Sequence, residues 1–144
     1  MKIKICGLSR TEDIEAVNEA LPDLIGFVFA EGSHRYVAPK EADFLRRELC
    51  KEISAAGVFV NEELDVILQL AGKGIIDMVQ LHGSEDVQYV ETLKRYCNAP
   101  VIKAISMTCD ASSEELQRWE ESNVDYLLLD SGTGGTGEQF DYRL

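Results

Sequence analysis

Four side chains of proton-moving or anion-holding type lie within three residues of a glycine, at or shortly after the ends of short apolar runs. Cys6 closes Lys2–Cys6 and is followed by Gly7, and Asp130 closes the run that begins at Tyr126. His82 follows Gln80-Leu81 and precedes Gly83, and Arg35 lies in the segment Gly32-Ser33-His34-Arg35-Tyr36. A cysteine is a base or nucleophile where its thiolate is accessible; otherwise it is a small buried hydrophobe. For Cys6 both readings stand on sequence grounds. A carboxylate at the end of an apolar strand is costly unless it is hydrogen-bonded or employed, so Asp130 either donates a proton or caps the turn that follows. Arg35 is a solvated loop residue or the fixed cation of an anion site. His82 is a ligand contact or a structural strand-end histidine, and Gln80 shares its strand face.

Asp130 leads into Ser131-Gly132-Thr133-Gly134-Gly135-Thr136-Gly137. A phosphate-cradling loop needs Gly-Lys-Ser/Thr and a following helix, whereas Glu138, Gln139 and Phe140 come next. The glycines suit a loop that closes over substrate, with Gly134 and Gly135 against it. A dinucleotide fold is excluded, because Cys6-Gly7-Leu8-Ser9-Arg10 does not supply GxGxxG after the first strand.

The positioning elements alternate. Strand-type runs fall at Lys2–Cys6, Leu24–Phe29, Ala56–Val60, Met78–Leu81, Val101–Ile105 and Tyr126–Leu129. Between them apolar residues recur with helical period: Ile14, Val17 and Leu21; Ala42, Leu45 and Leu49; Leu64, Ile67, Leu68 and Ala71; Val90, Leu93 and Cys97; Leu116 and Trp119. Thr11, Asn61, Ser84 and Ser113 each precede two acidic residues and are expected to cap these helices; Pro39 suits the first turn of the remaining one. Repeating βα units specify a parallel sheet, either open and doubly wound or a barrel. Along the strands one face is expected to be aliphatic (Ile3, Ile5, Val79, Leu81, Ile102, Ala104, Leu127, Leu129). The other mixes in polar groups (Lys2, Lys4, Cys6, Gln80, His82, Lys103, Asp130). Helices on both faces of an open sheet would demand apolar residues on both, so the pattern favours a barrel.

With 144 residues one domain is expected, 1–144, holding about six βα units where an eight-unit barrel needs roughly 200 residues. Fourteen Lys and Arg against 26 Asp and Glu give a net charge of −12, which argues against a nucleic-acid partner. No apolar run has the roughly 18 residues of a membrane span, and no signal peptide is recognisable, so a cytoplasmic protein without a membrane partner is expected. Cys6, Cys50, Cys97 and Cys109 lie too far apart for a zinc motif or a disulfide framework, and reduced thiols fit better.

The segments KICGLSRTED, GFVFAEGSHRYVAP, GVFVNEE, VQLHGSE, VIKAIS and LLLDSGTGGTGEQFD, in this order, resemble consecutive motifs of the phosphoribosylanthranilate isomerases. These are (β/α)8-barrel enzymes of tryptophan biosynthesis. The resemblance spans essentially the whole chain. It implies an Amadori rearrangement of the small-molecule substrate N-(5-phosphoribosyl)anthranilate to 1-(2-carboxyphenylamino)-1-deoxyribulose 5-phosphate, with no metal or organic cofactor. It further implies that Cys6 is the general base, Asp130 the general acid and Arg35 the contact to the anthranilate carboxylate, with Gln80 and His82 on the pocket floor. The sequence departs from the family at Thr11, Glu138 and Tyr142, where proline, lysine and tryptophan are common. Family members continue through two further strands whose loops hold the substrate phosphate. An incomplete barrel lacking strands 7 and 8 is therefore expected, with its gap between Asp130 and Cys6. Its first and sixth strands would be open edges that invite self-association, and Leu128 and the stem of Lys4 would face water. The alternative to an active isomerase is a catalytically inactive barrel fragment that only binds ligand or self-associates.

Overall fold

The computed structural model describes residues 1–106 and 113–130. Its elements alternate strictly: β1 (Lys4–Cys6), α1 (Thr11–Ala20), β2 (Leu24–Val28), α2 (Pro39–Glu48), β3 (Ser54–Phe59), α3 (Leu64–Gly72), β4 (Met78–Leu81), α4 (Val87–Tyr96), β5 (Val101–Ser106), α5 (Ser113–Glu120) and β6 (Tyr126–Asp130). All five strand pairings are parallel, and the strands lie side by side in chain order, β1 to β6. A doubly wound sheet reverses its strand order part-way; this one never does, so right-handed crossovers leave every helix on the same side.

The sheet also curls. Neighbouring strands are about 4.8 Å apart, so β1 and β4 would stand some 14 Å apart in a flat sheet. Instead the Lys4 ammonium donates a hydrogen bond to Gln80 Oε1. This is the wall of an incomplete (β/α)8-type barrel.

Register sorts the side chains. Lys4 and Cys6 pair with Leu24 and Gly26, and Val58, Gln80 and Ile102 stand in line, as do Ala104 with Leu128 and Ser106 with Asp130. These residues face the barrel interior. The opposite face carries Ile25, Phe27, Ala55, Phe59, Val79, Leu81, Val101 and Ile105, all buried against Ile14, Val17, Ala42, Leu45, Ile67, Leu70, Val90, Leu93 and Trp119 from the helices. Lys103 corrects the expectation of an aliphatic outer face. It stands between Val101 and Ile105 on the helix side and is buried there, while Ile102 and Ala104 point inward. The outer site supplies what a buried ammonium needs: Glu85 Oε2 at 2.9 Å, the carbonyl oxygen of Gly83 at 2.7 Å, and the Trp119 ring 5.5 Å away.

Three helix starts also differ from expectation. At α1 the cap is not Thr11; Asp13 Oδ2 accepts the backbone N–H groups of Ser9 and Arg10 at 3.0 Å each. Helix α3 begins at Leu64, and Asn61, at φ 52°, accepts instead from the Ser84 backbone N–H at 2.8 Å. Helix α4 is capped by Asp86, which accepts from the Tyr89 N–H at 2.8 Å, so Ser84 lies outside it. At α1 and α4 an ionised carboxylate, a stronger acceptor than a hydroxyl, has taken the free backbone donors. Pro39 opens α2 as its fixed φ favours.

Candidate active site

The carboxyl ends of the strands open into a cavity of about 400 Å³ lined by Cys6, Arg35, Gln80, His82 and Asp130, with Val28, Val58 and Leu128 among its apolar walls. Barrel enzymes place their chemistry at this end.

Each side chain has a local reason for its position. Cys6 points inward because β1 alternates, and Gly26 beside it leaves the thiol room: a Cβ there would lie 2.6 Å from Cys6 Sγ. Gly7 turns the chain at φ 91°, a conformation glycine adopts freely. The aliphatic stem of Arg35 lies over it, where a Cβ would come within 2.3 Å of Arg35 Cδ. The Arg35 loop is tied down by its own backbone N–H, which donates to Ser33 Oγ at 3.1 Å, and by the Val37 N–H, which donates to the Val28 carbonyl at 2.9 Å. No carboxylate pairs with the Arg35 guanidinium among the described residues.

The far wall is a hydrogen-bonded row. Gln80 is buried; its Oε1 accepts from Lys4, and its Nε2 lies 3.2 Å from His82 Nδ1. His82 Nε2 lies 3.0 Å from Asp130 Oδ2. Burial pushes the Lys4 ammonium below its ordinary pKa, while the neighbouring Cys6 pulls it back up. Behind the wall, Glu85 accepts from the backbone N–H groups of Asn61 at 2.7 Å and Gly83 at 2.9 Å, which fixes the loop that presents His82. Burial raises the Glu85 pKa, but the Lys103 ammonium and the Asn61 N–H outweigh it and hold the carboxyl below its usual value.

Five of the expected residues thus meet in one cavity. Gly134, Gly135 and Cys109 lie outside the described residues. Lys4 is the member that sequence reasoning missed: its stem was expected to face water, yet the half-buried side chain crosses the barrel to Gln80. Its signal was its place two residues before Cys6, on the same strand face. Cys6, Cys50 and Cys97 are free thiols. No group of three or more His, Cys, Asp or Glu among the described residues is placed to hold a metal ion.

Residues 3–144 match the family model for N-(5'-phosphoribosyl)anthranilate isomerase. The chain belongs to this family. It is 43% identical over 145 residues to the N-(5'-phosphoribosyl)anthranilate isomerase of Lachnoclostridium phytofermentans, covering 98% of this chain and 65% of the relative. With that of Caldanaerobacter subterraneus the identity is 40% over 148 residues, 100% of this chain and 70% of the relative. The chain thus spans about two thirds of the length of these relatives. Among solved structures it resembles the phosphoribosyl anthranilate isomerase of Thermus thermophilus with a TM-score of 0.83 at 34% identity, covering 98% of this chain and 68% of that one. A second isomerase structure, in complex with reduced 1-(o-carboxyphenylamino)-1-deoxyribulose 5-phosphate, matches with a TM-score of 0.77 at 33% identity over 90% of this chain and 64% of that one. The family carries the incomplete barrel found here as part of a longer chain.

Proposed function

We propose that this chain carries out, in the cytoplasm, the isomerisation of N-(5-phosphoribosyl)anthranilate by an Amadori rearrangement, with Cys6 as general base and Asp130 as general acid. The observation that carries the reading is the convergence of Cys6, Arg35, His82 and Asp130, from four separate segments, on one cavity. The family match supports the choice of substrate.

The chemistry follows from the side chains. Protonated Asp130 gives its proton to the furanose ring oxygen, and the bond from that oxygen to C1 breaks. The anthranilate nitrogen supplies the electron pair that makes the C1=N iminium. The Cys6 thiolate then takes the proton from C2, and its electrons form C1=C2 and neutralise the nitrogen. The resulting enolamine becomes the C2 ketone when its hydroxyl proton leaves and C1 gains one, so substrate and product are isomers. Arg35 meets the anthranilate carboxylate with paired N–H donors, a geometry suited to that group. Gln80 and His82 form the floor, and Gly134 and Gly135 count among the substrate-binding residues.

The test is turnover of freshly prepared N-(5-phosphoribosyl)anthranilate, followed by the loss of its fluorescence. Turnover that disappears with Asp130→Asn supports the reading. A folded chain without turnover overturns it in favour of an inactive barrel fragment. The second reading has its own observation: among the described residues β1 and β6 pair on one side only, and Ile3, Ile5, Tyr126, Leu128 and Leu129 are exposed along them. Unpaired N–H and C=O groups beside apolar side chains drive edge-to-edge association. Light scattering on the 144-residue polypeptide is expected to show species larger than a monomer; a monodisperse, cooperatively folding monomer would refute this.

A further inference from the structure

The row Lys4–Gln80–His82–Asp130 has a direction, fixed by which groups can donate. An ammonium has donors only, so the Gln80 atom facing Lys4 must be the amide oxygen. The amide NH2 therefore faces His82 Nδ1 at 3.2 Å, and since it is itself a donor, Nδ1 must accept. The ring proton then sits on Nε2, which donates to Asp130 Oδ2 at 3.0 Å. Reversing any one bond would set donor against donor at the next, and Gln80 is too buried for water to relieve the conflict.

We propose that Lys4, acting through Gln80, holds His82 in its Nε2–H tautomer and so commits Asp130 Oδ2 to the imidazole. This rests on the reading of Asp130 as the acid. The proton that Asp130 delivers is then carried by Oδ1, the oxygen the imidazole leaves free. When it is given up, negative charge grows on the carboxylate, and the imidazole N–H, already aimed at Oδ2, stabilises it without rearrangement. Lys4, Gln80 and His82 are thus positioning residues, and Lys4 at the head of the row also stands beside Cys6. One ammonium links the setting of the acid to the environment of the base.

The experiment reads the tautomer directly. Imidazole nitrogen NMR is recorded on the isotope-labelled full chain at neutral pH, with His34→Gln used to assign the signals, since the chain has two histidines. In the unsubstituted chain His82 is expected to show an unprotonated Nδ1 and a protonated Nε2. Gln80→Glu puts a carboxylate oxygen against Nδ1 and is expected to shift that nitrogen to the protonated type. Lys4→Met frees the amide to turn, and the Nδ1–H tautomer is expected to appear beside the other. A protonated Nδ1 in the unsubstituted chain overturns the proposal even if both variants fail to fold. So does a folded Gln80→Glu or Lys4→Met chain whose His82 signals do not move. Absence of turnover with the expected tautomer pattern refutes the isomerase reading instead, so the two failures are separable.

Discussion

The two rims of this barrel solve different problems. At the amino-terminal rim one device recurs. Asp77, just before β4, accepts the Ala55 N–H at the start of β3 at 2.8 Å and pairs with Arg46 of α2 at 2.9 Å. Asp125, just before β6, accepts the Val101 N–H of β5 at 2.7 Å and pairs with Lys94 of α4 at 2.5 Å. Asp23, just before β2, takes the Ile3 N–H at 2.7 Å. Every second strand leaves the same backbone donor, and the same carboxylate meets it. The carboxyl-terminal rim repeats nothing: a thiol ends β1, an arginine follows β2, a histidine follows β4 and a carboxylate ends β6. Repetition marks a need that recurs with each βα pair; a reaction needs one of each group. Between the rims the same contrast appears in two strand lysines. Lys103 is buried with a carboxylate partner behind the sheet, whereas Lys4 is held by an amide inside the cavity and lines it.

The sharpest way to break this division is at the carboxyl-terminal rim. Cys6→Ser and Asp130→Asn are each expected to lower turnover by about 10²- to 10⁴-fold, the range of general acid–base catalysis, with the thermal unfolding midpoint unchanged. Asp130→Asn is also expected to retain ligand binding, because the amide keeps the shape and loses the proton. Parent-like turnover in either variant would remove that residue from the chemistry.

Glu85→Ala is expected to act on stability first. It strands the Lys103 ammonium among apolar side chains at a cost of about 3 to 5 kcal/mol, read by urea unfolding. The pair also sets an acid limit. The folded chain holds the Glu85 carboxyl below its usual pKa and so favours the ionised form. Its contribution is fully present above the unfolded value of about 4.3 and is lost as pH falls through the lower folded value. The urea midpoint is expected to drop over that window in the parent and less steeply in Glu85→Gln; equal slopes would sever Glu85 from acid stability.

Arg35→Ala is expected to weaken binding of the anthranilate-bearing product analogue by about 1.5 to 3 kcal/mol and binding of ribose 5-phosphate by less. Calorimetry with both ligands separates carboxylate recognition from a general field, which would weaken the two equally. The smallest contrast lies between neighbours on α2. Arg46→Ala breaks a rim clamp and is expected to cost about 1 kcal/mol; Arg47→Ala breaks only the exposed pair with Asp43, at less than about 0.5 kcal/mol. Thermal melts giving the same loss for both would show that the clamp is ordinary surface pairing.

The parallel sheet, the barrel and four cavity residues, Cys6, Gln80, His82 and Asp130, were legible because each rests on local periodicity; Arg35 was read from its place in the loop after β2 and from the need of an anion for a fixed cation. Alternation placed Cys6 and Gln80 inward, and Gly7 after β1 and Gly83 after β4 marked where the chain turns. Lys103 was misread because strand alternation tells which residues share a face and not which face lies outward on each strand. The helix caps were misread at α1, α3 and α4, since several oxygen-bearing side chains compete for the same N–H groups and their geometry decides among them. Neither the amino-terminal clamps nor the Lys4–Gln80 bond could be read locally, as each joins segments far apart in the chain.

By itself, then, the sequence determined element type, order and handedness, and with them the rim at which chemistry gathers, because these follow from side-chain period and backbone chirality. Only the tertiary structure decided how far the sheet curls. That curl brings Lys4 of β1 to Gln80 of β4 and His82 to Asp130 of β6. The physical reason is that a hydrogen bond forms over about 3 Å and its direction depends on which donors and acceptors meet. No periodicity along one strand contains that information; it exists once strands distant in sequence share a cavity.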